Sequence, residues 1–315
     1  MDRRVKIWLA LLAVYIVWGS TYLAIRFAVE SIPPFLMVAT RFLVAGAILY
    51  AWRRGRGDPA PTRAQWLAAA VVGILLLVAG NGSVVWAEQW VPSGITALIV
   101  GTAPLFMVLI DALRPGGRLP DWRTAAGVLL GFGGIVILID PASLAGNPDR
   151  SYIIGLVVLL LATFFWALGS LYSRKAKLPG SALLGTGMEM LVGGVVLLGI
   201  ATFSGEWGRL DLAAVTARSW LGLAYLIVFG ALIGFVAYTW LLRSAPTPLV
   251  STYAYVNPLI AIFLGAWLGQ ESLTPRILLA ALVIVGAVFI INSSRARLAR
   301  RVPAPELAPV LEEEC

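Results

Sequence analysis

The stretch V-W-G-S-T-Y-L-A-I-R, residues 17–26, decides how this chain folds, because it places polar side chains deep inside a long apolar run. It contains a tryptophan, three hydroxyl side chains and an arginine. Trp18, Tyr22 and Arg26 follow one another at i, i+4 and i+8, so a helix stacks them along one face. At membrane depth, a cation and hydroxyl groups are tolerated only where they face the protein interior or a watery cavity. The stretch therefore predicts one wall of a polar pathway.

The composition is that of a polytopic membrane protein. Of the 315 residues, 60% are hydrophobic and 13% are charged, and the mean hydropathy is +0.89. A helix needs about 20 mostly apolar residues to cross a bilayer. Such runs predict spans near residues 7–28, 35–52, 66–87, 92–113, 122–139, 152–173, 181–203, 219–242, 247–269 and 274–292. We therefore expect an all-α integral membrane protein with ten transmembrane helices.

The distribution of basic residues predicts the orientation. Of the 24 Lys and Arg residues, 18 lie in segments on the same side as the N-terminus. Only four lie on the opposite side, namely Arg150, Arg209, Arg218 and Arg276. Because cytoplasmic loops carry the excess of Lys and Arg, both termini are expected in the cytoplasm (N-in/C-in). The segment 295–315 has little apolar content and is expected to be a disordered cytoplasmic tail.

Residues on which many enzymes and metal proteins depend are scarce. The sequence contains no histidine, and its single cysteine, Cys315, is the last residue. We therefore expect no internal disulfide, no metal and no cofactor. The formal net charge of +8 follows the membrane topology, so no nucleic-acid partner is expected. The sequence has no phosphate-binding glycine loop, which excludes ATP hydrolysis within this chain.

Two sequence patterns recur in the second half of the chain. A polar stripe in the first span returns 148 positions later, and a pair of prolines in the fourth span returns 154 positions later. The repeated residues are Trp18, Tyr22 and Arg26 with Trp166, Ser170 and Arg174, and Pro92 and Pro104 with Pro246 and Pro258. Each half has five spans, an odd number, so the halves enter the membrane from opposite sides. The pattern predicts an inverted repeat of residues 1–140 and 141–294.

Several motifs resemble those of a known family. They are W-G-S-T-Y at 18–22, V-E-S-I-P-P at 29–34, A-G-N-G at 79–82, V-P-S-G-I at 91–95 and S-T-Y-A-Y-V-N-P at 251–258. The set resembles the drug/metabolite transporter superfamily, within it the exporters built from two five-helix EamA halves. The resemblance implies a central cavity lined by the first, third, fourth, sixth, eighth and ninth spans. It also implies export of amino acids or other small metabolites.

The chain departs from this family at one turn. EamA repeats often end the fourth span in a Gly-Glu turn. The ninth span matches this feature with Gly269-Gln270-Glu271. The fourth span ends instead in Asp111-Ala112-Leu113-Arg114.

The candidate cavity residues are polar or aromatic groups on these spans. They are Trp18, Thr21, Tyr22, Arg26, Asn81, Thr102, Pro104, Trp166, Ser170, Tyr238, Tyr253, Tyr255, Asn257 and Pro258. The tyrosines and tryptophans are amphipathic rings suited to a small zwitterion or to an aromatic or cationic compound. Trp240 is either part of this lining or a member of the aromatic belt at the membrane interface.

The two prolines inside spans admit two interpretations. Pro104 and Pro258 each remove one backbone hydrogen bond and leave a carbonyl free, beside the polar residues Thr102 and Asn257. The break is then either a substrate contact or a kink that only shapes the bundle. Because proline is frequent in membrane helices, the sequence leaves both interpretations open.

Four ionisable side chains lie in apolar runs or at their ends: Arg26, Arg41, Glu88 and Glu189. Each is costly alone in an apolar environment, so they are expected either to form structural ion pairs or to take part in transport. Glu88 lies near the end of the third span, where it either joins this set or is simply solvated. Glu189 lies deep in the seventh span and is the better candidate for proton coupling.

The sequence favours a secondary exporter of amino acids or related small organic compounds, which works by alternating access in the bacterial inner membrane. The alternatives are an uncoupled facilitator with the same fold, or a receptor or scaffold without flux. An integral-membrane enzyme is not expected, because no acid and nucleophile pair is visible. The expected partners are a small-molecule substrate and the lipid bilayer. The expected assembly is a monomer or a weak homodimer. The G-x-x-x-G pattern of Gly127 and Gly131 is expected to bring helices together, either within the half or across a dimer.

Overall fold

The computed structural model describes residues 2–115, 117, 119–139, 149–245, 247–250 and 252–301. Within these ranges the chain is helical and contains no β-strand. Nine of the described helices are long and apolar enough to cross a membrane, and a tenth, Tyr253–Trp267, is apolar but shorter. The predicted all-α membrane fold is confirmed.

The spans are numbered in chain order. The first half contains α1 (Arg3–Val29), α2 (Pro34–Gly55), α3 (Arg63–Ala87), α4 (Ser93–Leu113) and α5 (Trp122–Ile139). The second half contains α6 (Arg150–Ser173), α7 (Ala182–Phe203), α8 (Ala217–Tyr225, Leu226–Ile233 and Gly234–Ser244), α9 (Thr247–Val250 and Tyr253–Trp267) and α10 (Pro275–Arg301). Each span overlaps almost completely with the apolar run that predicts it.

Local sequence signals set several helix starts. The side chain of Asp2 accepts a hydrogen bond from the first turn of α1. At the start of α3, Thr62 and Gln65 form a capping box, in which each side chain satisfies a backbone N–H group of the other residue. Pro34 opens α2, where the N–H group that it lacks would have no helical partner.

The two halves pack mainly against each other. The most extensive contacts join them: α2 lies along α7, α5 lies along α10, and α9 packs on both α1 and α4. The contacts of one half recur in the other, since α1 packs on α8 and α9, and its counterpart α6 packs on α3 and α4. This correspondence agrees with a two-repeat architecture in which the odd number of spans gives the halves opposite directions.

Carboxylates in equivalent loops hold the ends of the α2 and α7 pair. Glu206, which follows α7, accepts hydrogen bonds from the backbone N–H groups of Phe35 and Leu36 at the start of α2, at 3.2 and 2.8 Å. Asp58, which follows α2, lies beside Ser181 at the start of α7. Because carboxylates are stabilised at helix N-termini, each half places a carboxylate favourably at a helix start of the other.

α3 and α8 share an irregularity. Residues Ile74–Gly82 of α3 and Leu226–Ile233 of α8 form π-helical turns at corresponding positions of the two halves. A π-helical turn is wider than an α-helical one, with hydrogen bonds from i to i+5, and often occurs at functional sites. In α8 the carbonyl oxygen of Gly230 accepts the indole N–H of Trp18 at 3.3 Å. The irregular turn therefore provides a backbone acceptor for a side chain of the other half.

The prolines act differently in α4 and α9. α4 breaks at Thr102, between the helical segments Ser93–Gly101 and Ala103–Leu113, and Pro104 lies in the first turn of the second segment. Pro258 instead lies inside the continuous helix Tyr253–Trp267. The predicted break in the helix is therefore found beside Pro104 but not at Pro258. Pro246 lies outside the described residues.

α10 extends further than the sequence predicts. The helix continues to Arg301, although a disordered tail is expected from residue 295. Residues 295–301 are Arg, Ala and Leu, which are strong helix formers, so the helix does not stop where the apolar run ends. Just before this extension, Ser294 donates a hydrogen bond to Asp121 at 2.8 Å and ties α10 to the start of α5. Residues 302–315 of the predicted tail lie outside the described residues.

The packing of α3 on α7 predicts the effect of a small substitution. A Cβ atom at Gly73 would lie 2.6 Å from the backbone oxygen of Glu189, which is closer than real Cβ contacts. Gly73→Ala is therefore expected to lower the free energy of unfolding by about 1–3 kcal/mol, the usual cost of overpacking. Thermal unfolding of the purified protein in detergent measures this effect.

Gly199 on α7 supplies the matched control, because a Cβ atom there would meet nothing within 4 Å. Gly199→Ala is expected to be neutral or stabilising, since alanine favours a helix over glycine by about 1 kcal/mol. Equal unfolding temperatures for the two variants would contradict the close packing of α3 on α7.

Candidate substrate pathway

The ring of Trp18 is surrounded by three aromatic rings from the other half of the chain. Its centroid lies 5.4 Å from that of Phe235, 4.9 Å from that of Tyr238 and 5.4 Å from that of Tyr253. The centroids of the Tyr238 and Tyr253 rings are 5.6 Å apart. We call Trp18, Phe235, Tyr238 and Tyr253 the aromatic cluster. It joins α1 to α8 and α9 across the interface between the halves.

Polar groups continue from this cluster along α1. The hydroxyl group of Thr21 donates to the carbonyl oxygen of Trp18 at 2.6 Å, so it remains beside the cluster. Tyr22 lies within electrostatic reach of Tyr253 on one side and of Glu88 on the other. α1 therefore connects the aromatic cluster to charged residues near the end of α3.

The second half repeats part of this arrangement. Trp166 of α6 lies against Gly80 in the π-helical turn of α3, in the same way that Trp18 lies against the π-helical turn of α8. Ser170 donates a hydrogen bond to the carbonyl oxygen of Trp166 at 2.7 Å. Beside Gly80, the side-chain oxygen of Asn81 is buried and has no hydrogen-bond partner among the described residues.

α4 and α9 approach each other closely at their prolines. A Cβ atom at Gly101 would lie 2.9 Å from the ring of Pro258 and 3.4 Å from the carbonyl oxygen of Ala254, the group that Pro258 leaves without its helical partner. The neighbouring hydroxyl of Thr102 bonds back to its own helix. The side chain of Asn257 is buried, and its oxygen has no partner in the described part of the chain. Asn257 is thus the polar group at this crossing that could accept a ligand hydrogen bond.

Tyr255 and Trp240 lie away from the aromatic cluster. Tyr255 packs on Phe289 of α10, with 6.1 Å between ring centroids. It points away from Tyr253 because positions two apart on a helix face nearly opposite directions. Trp240 is 37% exposed and lines a lateral groove of about 640 Å³ between α1, α2 and α8, together with apolar residues and Lys6. Its position favours a role at the membrane interface.

Glu271 gathers three helices at one end of the bundle. Its carboxylate pairs with Arg26, with 3.7 Å between Oε1 and the arginine Nε. It also accepts hydrogen bonds from the backbone N–H groups of Ser93 and Gly94 at the start of α4, at 2.7 and 3.0 Å. A carboxylate in this place satisfies free helical N–H groups and interacts favourably with the helix dipole. Sequence reasoning missed this role, although the turn Gly269-Gln270-Glu271 marks the residue.

Glu88 and Arg41 are buried beside this pair, with exposed fractions of only 1% and 4%. Neither oxygen of Glu88, and neither Nε nor Nη1 of Arg41, has a hydrogen-bond partner among the described residues. Arg26, Arg41 and Glu271 all lie within electrostatic reach of Glu88, and we call these four residues the charge cluster. The interpretation of Glu88 as a solvated residue is wrong, because α1, α2 and α6 cover the end of α3.

Glu189 lies apart from the charge cluster. It sits where α7 packs on α3, with its backbone oxygen against Gly73. No charged group of the described chain lies close enough to act on its carboxyl. The described residues also offer no group of three or more His, Cys, Asp or Glu side chains that could hold a metal ion. The structure therefore brings together Arg26, Arg41 and Glu88 but not Glu189.

The two ends of the bundle are packed differently. At the charge-cluster end, the first segment of α8 lies directly on α1: a Cβ atom at Gly222 would be 2.9 Å from the carbonyl oxygen of Ala24, and Ser219 donates to the carbonyl of Phe27 at 2.7 Å. At the opposite end, the corresponding segment of α3 packs more on α7 than on α6. Tyr172, at the end of α6, is 41% exposed there. The first segment of α8 is thus in closer contact with α1 than the corresponding segment of α3 is with α6.

Comparison with known proteins agrees with this architecture. The sequence model of the EamA-like transporter family matches residues 5–140 and 153–293. The chain is 40% identical over 307 residues to the inner membrane transporter YedA of Escherichia coli (strain K12), across 96% of this chain and 95% of that protein. It is 25% identical to the transporter YoaV of Bacillus subtilis (strain 168), across 90% of this chain and 96% of the relative.

A solved crystal structure shares the fold. It aligns with a TM-score of 0.62 at 21% sequence identity, across 96% of this chain and 100% of the other. The resemblance drawn from the sequence motifs is confirmed by the family match and by the 40% identical relative. The family match to both halves, the apolar helices and the identity to an inner membrane transporter lead to one conclusion. The chain belongs to the EamA-like transporter family and is a multi-pass transporter of the inner membrane.

Proposed function

We propose that this protein is a secondary exporter that moves small organic metabolites by alternating access. The observation that supports the proposal most strongly is the aromatic cluster, in which one half supplies Trp18 and the other supplies Tyr238 and Tyr253. A solute bound there contacts both halves at once. When the halves move relative to each other, such a solute is exposed first on one side and then on the other, as in carriers built from inverted repeats.

The chemistry of the cluster favours amino acids and related compounds. Ring faces attract apolar groups through packing and cationic groups through their negative faces. The unpartnered side-chain oxygens of Asn81 and Asn257 are acceptors for the N–H groups of a substrate amine. A compound with an ammonium group and a compact apolar part combines both features.

The basic residues predict which side each end of the bundle faces. With both termini in the cytoplasm, the charge cluster lies at the periplasmic end and Tyr172 at the cytoplasmic end. In that orientation the tight packing of α8 on α1 supports a state that is closed toward the periplasm. The domain boundaries 1–140 and 141–294 then separate two halves that move against each other.

Transport through the aromatic cluster predicts a specific loss on substitution. In proteoliposomes, counterflow of a panel of amino acids and small metabolites is expected to identify at least one substrate. Trp18→Ala is expected to raise the half-saturation concentration of that substrate about tenfold, which corresponds to roughly 1.4 kcal/mol of lost binding. The matched control is Trp8→Ala on the same helix, because Trp8 is 60% exposed. It is expected to leave the flux unchanged.

The same experiment separates the alternatives. A flux that requires an imposed proton gradient supports coupled export, whereas a flux that ignores the gradient supports a facilitator. Absence of flux across the panel, with protein shown to be folded, would contradict the transport proposal and favour a receptor or scaffold. Equal effects of the two tryptophan variants would contradict the placement of the substrate.

The orientation has a natural probe, because Cys315 is the only cysteine of the chain. In intact spheroplasts a membrane-impermeant maleimide is expected to leave Cys315 unmodified until the membrane is permeabilised. The control carries Cys315→Ser and Ser204→Cys, since Ser204 is exposed in the loop between α7 and α8. It is expected to react without permeabilisation, and the reverse pattern would overturn the proposed orientation.

A further inference from the structure

Glu88 is a buried carboxylate that has no hydrogen-bond partner among the described residues. It follows the last turn of α3, where its backbone N–H donates to the carbonyl of Val84 at 3.0 Å. Its side chain is almost completely covered, and both carboxylate oxygens lack a hydrogen-bond partner among the described residues. An ionised carboxylate in such surroundings loses its water and gains nothing in return, which is strongly unfavourable. A bound proton removes this penalty without needing any additional space.

The neighbours of Glu88 do not compensate its charge. From α1, Arg26 is paired with Glu271, whose negative charge also lies within electrostatic reach of Glu88. From α2, Arg41 attracts Glu88 but forms no ion pair with it in the described chain. Two tyrosines lie on the neighbouring helices. Tyr22 on α1 is within electrostatic reach of Glu88, and Tyr152 on α6 packs against the apolar cluster that includes Ala87.

Glu271 has the partners that Glu88 lacks. Its carboxylate accepts hydrogen bonds from two backbone N–H groups and pairs with Arg26. A negative charge on Glu88 would lie within electrostatic reach of this carboxylate and would be repelled by it. The charge cluster therefore contains one carboxylate with partners, Glu271, and one without hydrogen-bond partners among the described residues, Glu88.

From this arrangement we propose that Glu88 is a proton-binding site, occupied when the charge-cluster end is closed and emptied when that end opens to water. Opening separates α8 from α1 and admits water, which stabilises the ionised form. By linkage, a state that binds the proton more tightly is favoured as the pH falls, so low pH favours closure and high pH favours opening. The inference rests on the proposed alternating access, because it requires two states of this end.

The test compares proton binding in the free protein and in protein held closed. The Oγ atoms of Ser31 and Ser219 lie 2.8 Å apart and bridge α1 and α8, so cysteines at these positions are within reach of a disulfide. The variant Ser31→Cys/Ser219→Cys, in a Cys315→Ser background, is titrated by infrared spectroscopy in its oxidised and reduced forms. The carboxylic-acid absorption that disappears in Glu88→Gln reports the proton on Glu88.

The oxidised form is expected to keep this absorption to a pH at least one unit higher than the reduced form, a tenfold difference in proton affinity. Glu88→Asp is expected to retain a titrating carboxylic acid. This result would show that Glu88→Gln loses the absorption because it lacks the carboxyl group, and not because it is misfolded. Glu189→Gln is the matched control and is expected to leave the titration unchanged. The proposal is overturned if the oxidised and reduced forms titrate together, or if Glu189→Gln removes the absorption.

This measurement needs no substrate, so its failure is distinguishable from that of the transport proposal. If counterflow through the aromatic cluster is observed but Glu88 binds no proton, the protein is a carrier in which Glu88 is not a coupling site. If Glu88 binds its proton more tightly in the closed form but no tested solute is transported, the result supports the proton-binding site and contradicts the transport proposal.

Discussion

Lipid offers no hydrogen-bond partner to a buried polar group, and this constraint decides where the polar side chains of the protein lie. The stripe of α1 cannot face the acyl chains, so it turns toward α8 and α9 of the other half. Trp18 donates to a carbonyl in the irregular part of α8, and Arg26 pairs with the carboxylate that follows α9. The interface between the halves is therefore where the polar groups of the pathway meet.

Small residues allow this interface to be close. Gly222 lets α8 approach the backbone of α1 at the charge-cluster end, and Gly101, further inside the bundle, lets α4 approach the carbonyl that Pro258 leaves free. At the charge-cluster end, Glu271 spans α1, α4 and α9 through one ion pair and two backbone hydrogen bonds. Glycines and one carboxylate thus hold these helices together. Apolar side chains alone would do so less firmly, because inside a membrane they can contact lipid instead of a neighbouring helix at little cost.

Much of the fold follows from the sequence, because the physics of a bilayer acts on local patterns. Runs of apolar residues predict the spans, and the i, i+4, i+8 pattern correctly predicts that Trp18, Tyr22 and Arg26 face the protein interior. The continuation of α10 to Arg301 was missed because hydropathy marks where a span ends and helix propensity marks where a helix ends. The π-helical turns were missed because the hydropathy pattern, from which the spans are predicted, does not distinguish a π-helical turn from an α-helical one.

The candidate site was harder to predict, since it depends on which helices meet. Tyr253 and Tyr255 look equivalent in sequence, but one joins the aromatic cluster and the other packs on α10. The isolation of Glu189 and the burial of Glu88 likewise depend on the neighbours that cover them. Glu271 lies in a loop of the sequence and becomes a buried partner only because α9 ends beside the start of α4.

The central claim is that the two ends of the bundle open alternately. Double electron–electron resonance tests it with two pairs of spin labels in a Cys315→Ser background. One pair replaces the exposed residues Glu30 and Leu273, one from each half, at the charge-cluster end, and the other replaces Leu67 and Tyr172 at the opposite end. The account predicts that any condition which lengthens one distance shortens the other. Distances that stay single and unchanged under all conditions, or that lengthen together, would contradict it.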